Sequence, residues 1–156
     1  MILALDPGPV DTAYVILGDD GRVRQAAHVD NQHILDLVIT SHTGQVVCET
    51  MQSMGMAVGA EVFETCIWVG RFWERTVAVG LPFARVRRTD IKMHLCGTTL
   101  AKDPNIRQAL IDQFGPGKDV AVGTKGARGP LYGVTNHCWS ALAAAVTWSR
   151  AAQEAA

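Results

Sequence analysis

Hydrophobic residues occur along the chain in short continuous runs and in stripes that recur every three to four residues. Apolar runs of four to eight residues are typical of buried strands, and the stripes are typical of amphipathic helices. The pattern predicts strands at residues 1–5, 12–17, 22–29, 45–48 and 83–86. It predicts helices at residues 31–42, 56–79, 89–95, 103–114 and 135–150, the second with an apolar stripe at Val58, Val62, Cys66, Val69 and Trp73.

Turn and cap residues support this order of elements. The run Gly18-Asp19-Asp20-Gly21 predicts a tight turn within a meander of three antiparallel strands. Thr89 and Thr135 are placed to cap helices, and Asp103 followed by Pro104 is a typical helix start.

The predicted fold is a single α/β domain over residues 1–156. Three antiparallel meander strands lead through helices into two parallel strands. The resulting mixed five-stranded sheet is expected to carry helices on both faces.

Two of the buried strands end on a carboxylate. Asp6 precedes Pro7-Gly8, and Glu49 follows the fourth strand. If those strands lie side by side and parallel, both side chains emerge at one edge of the sheet, where they repel unless a proton or a divalent metal ion lies between them. Each residue alone also fits an ordinary turn or a solvated strand end.

The stretch that opens the last helix offers a further candidate ligand. His137 and Ser140 are three residues apart and share one helix face. A neutral imidazole at position 137 suits either a metal ligand or a general base. A histidine in a first helical turn is also commonly a surface residue, and the pattern alone leaves both readings open.

Charge is unevenly distributed although the net charge is only −1. Residues 1–70 carry two basic and nine acidic side chains, whereas residues 71–128 carry eleven basic and five acidic ones. Phosphates attract Lys and Arg while hard cations bind carboxylates, so this division suits a protein that acts on a polyanion. Charge also segregates by chance along chains.

Cysteine usage and hydropathy limit the class of protein. The four cysteines are far apart and lack zinc-site spacing, which predicts reduced and mostly buried thiols. The first apolar run is too short for a signal-peptide core, and no run reaches membrane-spanning length. We therefore expect a cytoplasmic protein, in a bacterial or phage-infected cell, with no membrane partner.

Four motifs in this order resemble one family over nearly the whole chain: ILALDPG, VVCET, DIKMHLCG and HCWSALAAAV. Together they are similar to the RuvC-type Holliday-junction resolvases, in particular the phage-borne members. The resemblance implies a ribonuclease H-like fold and a homodimer that cuts phosphodiester bonds in branched DNA. It also implies two Mg²⁺ or Mn²⁺ ions per active site.

The resemblance assigns roles to individual residues. Asp6, Glu49 and His137 match catalytic metal ligands, and Ser140 falls where the family usually has its last carboxylate. Lys92 and Lys102 resemble two basic catalytic residues near the scissile phosphate. The expected contacts to DNA phosphates come from Lys92, Lys102, Arg107, Lys125 and Arg128.

Three segments bear on DNA and on assembly. The glycine-rich segment 115–133 is predicted to be a loop, and its part 123–130 lacks P-loop spacing and is expected to be a flexible basic arm. The segment 50–54 lacks the aromatic side chain that the family often has after its strand-four glutamate. Trp68, Phe72 and Trp73 on the long helix suggest a two-fold interface or a buried central helix.

Two functions follow from these observations. The first is a metal-dependent, structure-selective endonuclease. The alternative, motivated by Ser140, is a catalytically weakened junction-binding protein on the same fold.

Overall fold

The computed structural model describes residues 1–52, 55 and 57–154. The strands are β1 (Ile2–Pro7), β2 (Asp11–Leu17), β3 (Val23–Asp30), β4 (Gln45–Thr50) and β5 (Phe83–Arg87). The helices are α1 (Asn31–Thr40), α2 (Ala60–Ala78), α3 (Arg88–Cys96), α4 (Asp103–Phe114), α5 (Lys118–Ala121) and α6 (Cys138–Glu154).

The five strands form one mixed sheet in the order β3-β2-β1-β4-β5. β1 pairs antiparallel with β2, and β2 pairs antiparallel with β3. β1 runs parallel to β4, and β4 runs parallel to β5. This arrangement confirms the predicted mixed sheet with its meander and its two added parallel strands.

Alternating side chains divide the core into two layers, one on each face of the sheet. On one face, Ala4, Val15 and Val47 pack against α6 and against side chains of α3 and α4. Leu3, Leu5 and their neighbours on the opposite face pack against α1 and Phe72 of α2. Helices therefore cover both faces, as predicted, and four alanines among the nine buried residues of α6 let this helix approach the sheet closely.

A buried polar contact fixes the turn between β1 and β2. The Asn31 side chain is fully enclosed, accepts a hydrogen bond from Thr12 Oγ1 at 2.5 Å and donates to the Gly8 carbonyl at 3.0 Å. A Cβ atom at position 8 would lie 2.6 Å from the Asp11 carbonyl oxygen, so only glycine fits this tight turn. The first residue of α1 thus holds the turn that follows Asp6.

Several helix boundaries differ from the sequence prediction. The described part of α2 begins at Ala60, while the predicted start at Met56 lies outside the described residues. α6 begins at Cys138, because the segment before it forms a turn in which the Thr135 carbonyl accepts the Cys138 N–H. Thr135 is therefore not the helix cap.

The two intervening helices also start elsewhere than predicted. α3 starts at Arg88, one residue before Thr89. The cap of α4 is Lys102, whose backbone N–H donates to Asn105 Oδ1 at 2.9 Å, so Asp103 is the first helical residue.

The buried face of α2 differs from the predicted stripe. Its buried residues are Thr65, Phe72 and Thr76. Cys66 and Trp73 of the predicted stripe are exposed. The Thr65 hydroxyl donates to the Glu61 carbonyl, and the Thr76 hydroxyl donates to the Phe72 carbonyl, each one helical turn earlier. Because these hydroxyls are hydrogen-bonded within the helix, the two polar residues can face the core.

The segment 115–133 is folded rather than an open loop. It contains α5, buries Leu131 and closes residues 123–128 through a bridge between Gly123 and Arg128. A Cβ at Gly129 would lie 2.3 Å from the Val120 carbonyl oxygen, so the chain packs tightly there. The expectation of a flexible basic arm is wrong, since backbone hydrogen bonds close this segment into a turn.

The four cysteines differ in their exposure to solvent. Cys48 and Cys138 are buried, Cys96 is partly buried and Cys66 is exposed, and all four are free thiols. Burial raises the pKa of both buried thiols, which keeps them protonated. Among the described residues, every helix is too short or too polar to cross a membrane.

Candidate active site

Three charged side chains lie at the carboxyl ends of three neighbouring parallel strands. Asp6 is the penultimate residue of β1, Glu49 is the penultimate residue of β4, and Arg88 follows β5 directly. Each lies two residues after a core residue that faces α6, namely Ala4, Val47 and Val86. Because side chains alternate along a strand, all three charged residues belong to that same face of the sheet. The prediction that Asp6 and Glu49 share one sheet edge is confirmed by the parallel pairing of β1 and β4.

His137 reaches this edge from the turn before α6. The turn needs a left-handed backbone at Asn136, with φ of 43°, a conformation that asparagine tolerates better than most residues. His137 Nδ1 lies 3.9 Å from Asp6 Oδ2. The chain therefore brings His137 to Asp6 as expected, although His137 precedes the helix rather than lying in its first turn.

A second histidine, His28, lies beside the first. It pairs with Ala13 in the sheet, and Ala13 pairs with Asp6, so the three residues form one row across β3, β2 and β1. The ring centroids of His28 and His137 are 5.4 Å apart. Sequence reasoning missed His28 because a single histidine in a half-exposed strand carries no motif.

Arg88 connects the remaining groups of the site. Its Nη1 lies 3.3 Å from each oxygen of Glu49 and 3.5 Å from Ser140 Oγ. Its Nη2 donates to the carboxylate of Asp103 at the start of α4. Neither Arg88 nor Asp103 was among the site residues predicted from the sequence. The available signal was the position of Arg88, which follows a parallel strand as Asp6 and Glu49 do.

Burial dominates the protonation of the two strand-end carboxyls. Burial raises the pKa of Asp6, while His137, Arg88 and His28, in decreasing order of effect, lower it. Burial also raises the pKa of Glu49 to about 7, opposed chiefly by Arg88. Both groups therefore hold a proton more readily than a solvated carboxyl, and a nearby cation favours their ionised forms.

The described residues contain no group of three or more His, Cys, Asp or Glu side chains arranged to hold a metal ion. Asp6 and His137 form a pair of donors of the types that bind divalent cations. Glu49 and Ser140 face the Arg88 guanidinium instead. The residues present thus fit one divalent cation beside Asp6 and His137, and they do not fit a second one on Glu49.

Two hollows meet at His137. One, the α4–α6 groove, has a volume of about 760 Å³ and includes Arg107, Lys118, His137, Trp139 and Ser140 in its lining. The Arg107 guanidinium lies 4.9 Å from the centre of the Trp139 ring. The other hollow, of about 320 Å³, lies beside Asp6, His28 and His137. Lys118 was missed because it lies in the segment predicted to be a loop.

The predicted DNA-binding residues fall into two groups. Lys92 is one helical turn after Arg88, Lys102 directly precedes Asp103, and Arg107 lines the α4–α6 groove, so all three come from the elements that supply Arg88 and Asp103.

Lys125 and Arg128 lie in the closed turn near Pro130, whose carbonyl accepts the Val23 N–H at 2.8 Å. Val23 begins β3, five strand residues before His28, a separation of roughly 17 Å at about 3.3 Å per residue. The structure therefore does not bring Lys125 and Arg128 to the carboxylates.

No protein-family model matches the chain, and no curated protein matches its sequence. Solved structures do match its fold. The Thermus thermophilus RuvC structure is 16% identical with a TM-score of 0.69, covering 99% of this chain and 96% of that one. T. thermophilus RuvC in complex with a Holliday junction substrate is 16% identical with a TM-score of 0.71, covering 99% and 95%.

The yeast mitochondrial Holliday junction resolvase Ydc2 is more distant, at 12% identity and a TM-score of 0.53, covering 96% of this chain and 77% of that one. The chain thus has the fold of the RuvC-type resolvases, a mixed five-stranded ribonuclease H-like sheet. The resemblance found in the four sequence motifs is confirmed at the level of the fold.

Proposed function

We propose that this protein is a metal-dependent endonuclease that hydrolyses phosphodiester bonds in branched DNA, with the four-way junction as its preferred substrate. One observation carries the proposal: Asp6, Glu49 and His137 meet at one edge of a sheet whose fold matches that of junction resolvases. Residues 1–156 would act as a single nuclease domain of phage type. Its DNA substrate would place it in the cytoplasm of a bacterial or phage-infected cell.

The residues present suggest how the reaction would proceed. Asp6 and His137 would hold one Mg²⁺ or Mn²⁺, which when bound polarises a phosphate and lowers the pKa of a water. Asp6 is partly buried and positioned by the Asn31-held turn, so it needs little reorganisation. His137 is largely exposed, which leaves its ring accessible to substrate. Arg88 balances the charge of Glu49 beside the scissile phosphate.

The α4–α6 groove is the proposed path for the DNA strand that leads to Asp6. Arg107 and Lys118 supply positive charge along it, and the Arg107 guanidinium lies over the Trp139 ring. Lys92 and Lys102 would contact phosphates on either side of Arg88. Lys125 and Arg128 would contact only longer arms of the DNA, because they lie at the other end of the sheet.

The exposed side of α2 is the proposed interface of a homodimer. Phe63, Ile67, Trp73 and Val77 each expose two fifths or more of their surface, and they share one side of the helix. Phe72 is used inside the chain and contacts Trp68, so the predicted aromatic cluster only partly belongs to this face. A two-fold pairing of this helix would place two active sites on one junction.

The alternative is a protein that binds junctions without cutting them. Ser140 favours it, since a neutral hydroxyl stands where the resemblance implies a carboxylate, and this hydroxyl faces Arg88. The two proposals share the fold and the basic groove and differ only in catalysis.

One experiment separates the two proposals. A synthetic four-way junction, a fork and a linear duplex are incubated with the protein in Mg²⁺ and in Mn²⁺, beside the Asp6→Asn variant. Symmetric nicks on the junction that are absent from the variant support the nuclease. Tight junction binding without any cleavage supports the silent binder. Equal cutting of all three substrates would contradict junction selectivity.

A further inference from the structure

Arg88 lies among oxygen atoms of the kind that a metal cation binds. Its guanidinium contacts both oxygens of Glu49, the hydroxyl of Ser140 and the carboxylate of Asp103. An arginine guanidinium carries a permanent positive charge in proteins, and its planar fork matches carboxylate geometry. Arg88 is thus a fixed positive charge on the Glu49 side of the site.

The fold itself places this charge. Glu49 pairs with Val86 in the parallel sheet, and Arg88 comes two residues later, so it extends the same face of β5 beyond the end of the strand. Its neighbour Arg87 lies on the other face and pairs with Asp90 at 2.7 Å. Only the second of two consecutive arginines therefore contacts the site.

We propose that Arg88 permanently supplies the positive charge that a second divalent cation would bring to Glu49. The site then takes up one divalent cation, beside Asp6, and excludes another from the Glu49 side. This inference rests on the metal dependence of the proposed function and concerns how many ions the site accepts.

Two physical arguments support the exclusion. A hard divalent cation needs several oxygen donors, and both Glu49 oxygens already accept from Arg88 while Ser140 offers only a neutral hydroxyl. A divalent ion at this position would also lie against a guanidinium in a partly buried setting, where like charges repel strongly. Asp103 adds a second carboxylate to Arg88 and so retains the arginine in the site.

The test counts ions and does not depend on cleavage. Mn²⁺ is titrated calorimetrically into the wild-type protein, Arg88→Met and the matched control Arg87→Met. We expect Arg88→Met to bind one more Mn²⁺ per chain than the wild type, and Arg87→Met to bind the same number as the wild type. An equal count in wild type and Arg88→Met would overturn the proposal, as would an extra ion in Arg87→Met.

A second variant protects the test against misfolding of Arg88→Met. Arg88→Gln combined with Ser140→Asp keeps a polar side chain at position 88 and adds a carboxylate where Arg88 now contacts the hydroxyl. We expect it to gain one Mn²⁺, whereas Ser140→Asp alone gains none because Arg88 remains. A gain in Ser140→Asp alone would show that Arg88 excludes nothing. Circular dichroism and melting curves identify which variants are folded.

Cleavage of the four-way junction is measured separately on the wild type. Absence of any Asp6-dependent cleavage would contradict the proposed nuclease, whatever the ion counts. A normal cleavage activity together with unchanged ion counts in the Arg88 variants would contradict only the role of Arg88.

Discussion

His137 Nδ1 lies 3.9 Å from Asp6 Oδ2, although the two residues come from opposite ends of the chain and from different elements. Asp6 is the penultimate residue of β1, and His137 is held in the turn before α6 by the left-handed backbone of Asn136. The pair therefore forms only when the last helix is packed on the sheet. Any chemistry that needs both groups depends on that packing.

Asp6→Asn should abolish cleavage and leave the fold intact, since the change removes a charge without changing the volume of the side chain. We expect a fall in the single-turnover rate of at least about 10²–10³-fold, because the variant would no longer hold the cation that stabilises the charge developing on the phosphate. The measurement is junction cleavage in Mg²⁺, with circular dichroism and melting compared with the wild type. A folded and active variant would refute the role given to Asp6.

Glu49 should make the stability of the metal-free protein depend on pH. Its pKa is about 7 in the folded protein and about 4.5 when solvated, so the folded state binds more protons between these values. Stability contributed by this group is therefore present at acidic pH and is lost as the pH rises towards and past 7. The loss approaches about 3 kcal/mol above pH 8.

Glu49→Gln should remove this part of the pH dependence, because an amide does not titrate. Urea unfolding of both proteins at pH 5 and pH 8, with a chelator present, gives the comparison. We expect the wild type to lose more stability than the variant between the two pH values. Parallel curves would show that Glu49 ionises normally.

Asn31→Ala should destabilise the protein by about 2 kcal/mol, because it leaves the buried Thr12 hydroxyl and the Gly8 carbonyl without their partner. Adding Thr12→Val removes the orphaned hydroxyl and should restore part of the loss. Chemical unfolding of the single and double variants measures both effects. Gln108→Ala, which removes an exposed hydrogen bond on α4, is the control and should change stability by less than about 0.5 kcal/mol.

Ile67→Glu should convert the proposed dimer to a monomer, since it places a charge in the exposed apolar side of α2. Sedimentation velocity at micromolar concentration measures the change, and circular dichroism confirms that the variant is folded. Leu100→Glu alters a side chain that is 86% exposed and lies outside this helix, so it should leave the dimer unchanged. A wild-type monomer would remove the dimer proposal.

Arg107→Ala should weaken binding to junctions of any arm length and lower the slope of log affinity against log salt by about one. The reason is that Arg107 lines the groove next to His137. Lys125→Ala should weaken binding only to junctions with long arms, since its turn lies at the far end of the sheet. Both are measured in the Asp6→Asn background, and equal effects on short junctions would contradict the proposed DNA path.

The strand-end carboxylates were predictable because they depend on local rules. A buried run that ends on Asp6 and another that ends on Glu49 require only parallel pairing to meet, and the sheet provides it. His137 was identified by resemblance, and its place beside Asp6 follows from the way α6 covers the sheet.

What the sequence did not reveal depends on long-range packing. The contact of Arg88 with Glu49 and Asp103 joins three elements, and the position of Arg88 after a parallel strand does not tell which side chains it contacts. The folded segment 115–133 was taken for a loop because its glycines, which allow close backbone contact at Gly129, also resemble loop composition. The buried face of α2 was misplaced because two of its inward residues, Thr65 and Thr76, are polar.

The Asn31 contact has a consequence for the order of assembly during folding. Asp6 precedes Asn31 by only 25 positions, and that span contains β2, β3 and the first residue of α1. Local contacts of this kind form early and at low entropic cost. The turn beside the first carboxylate therefore depends on contacts within residues 6–31 alone, whereas Glu49, Arg88 and His137 reach the site only through the packing of later elements.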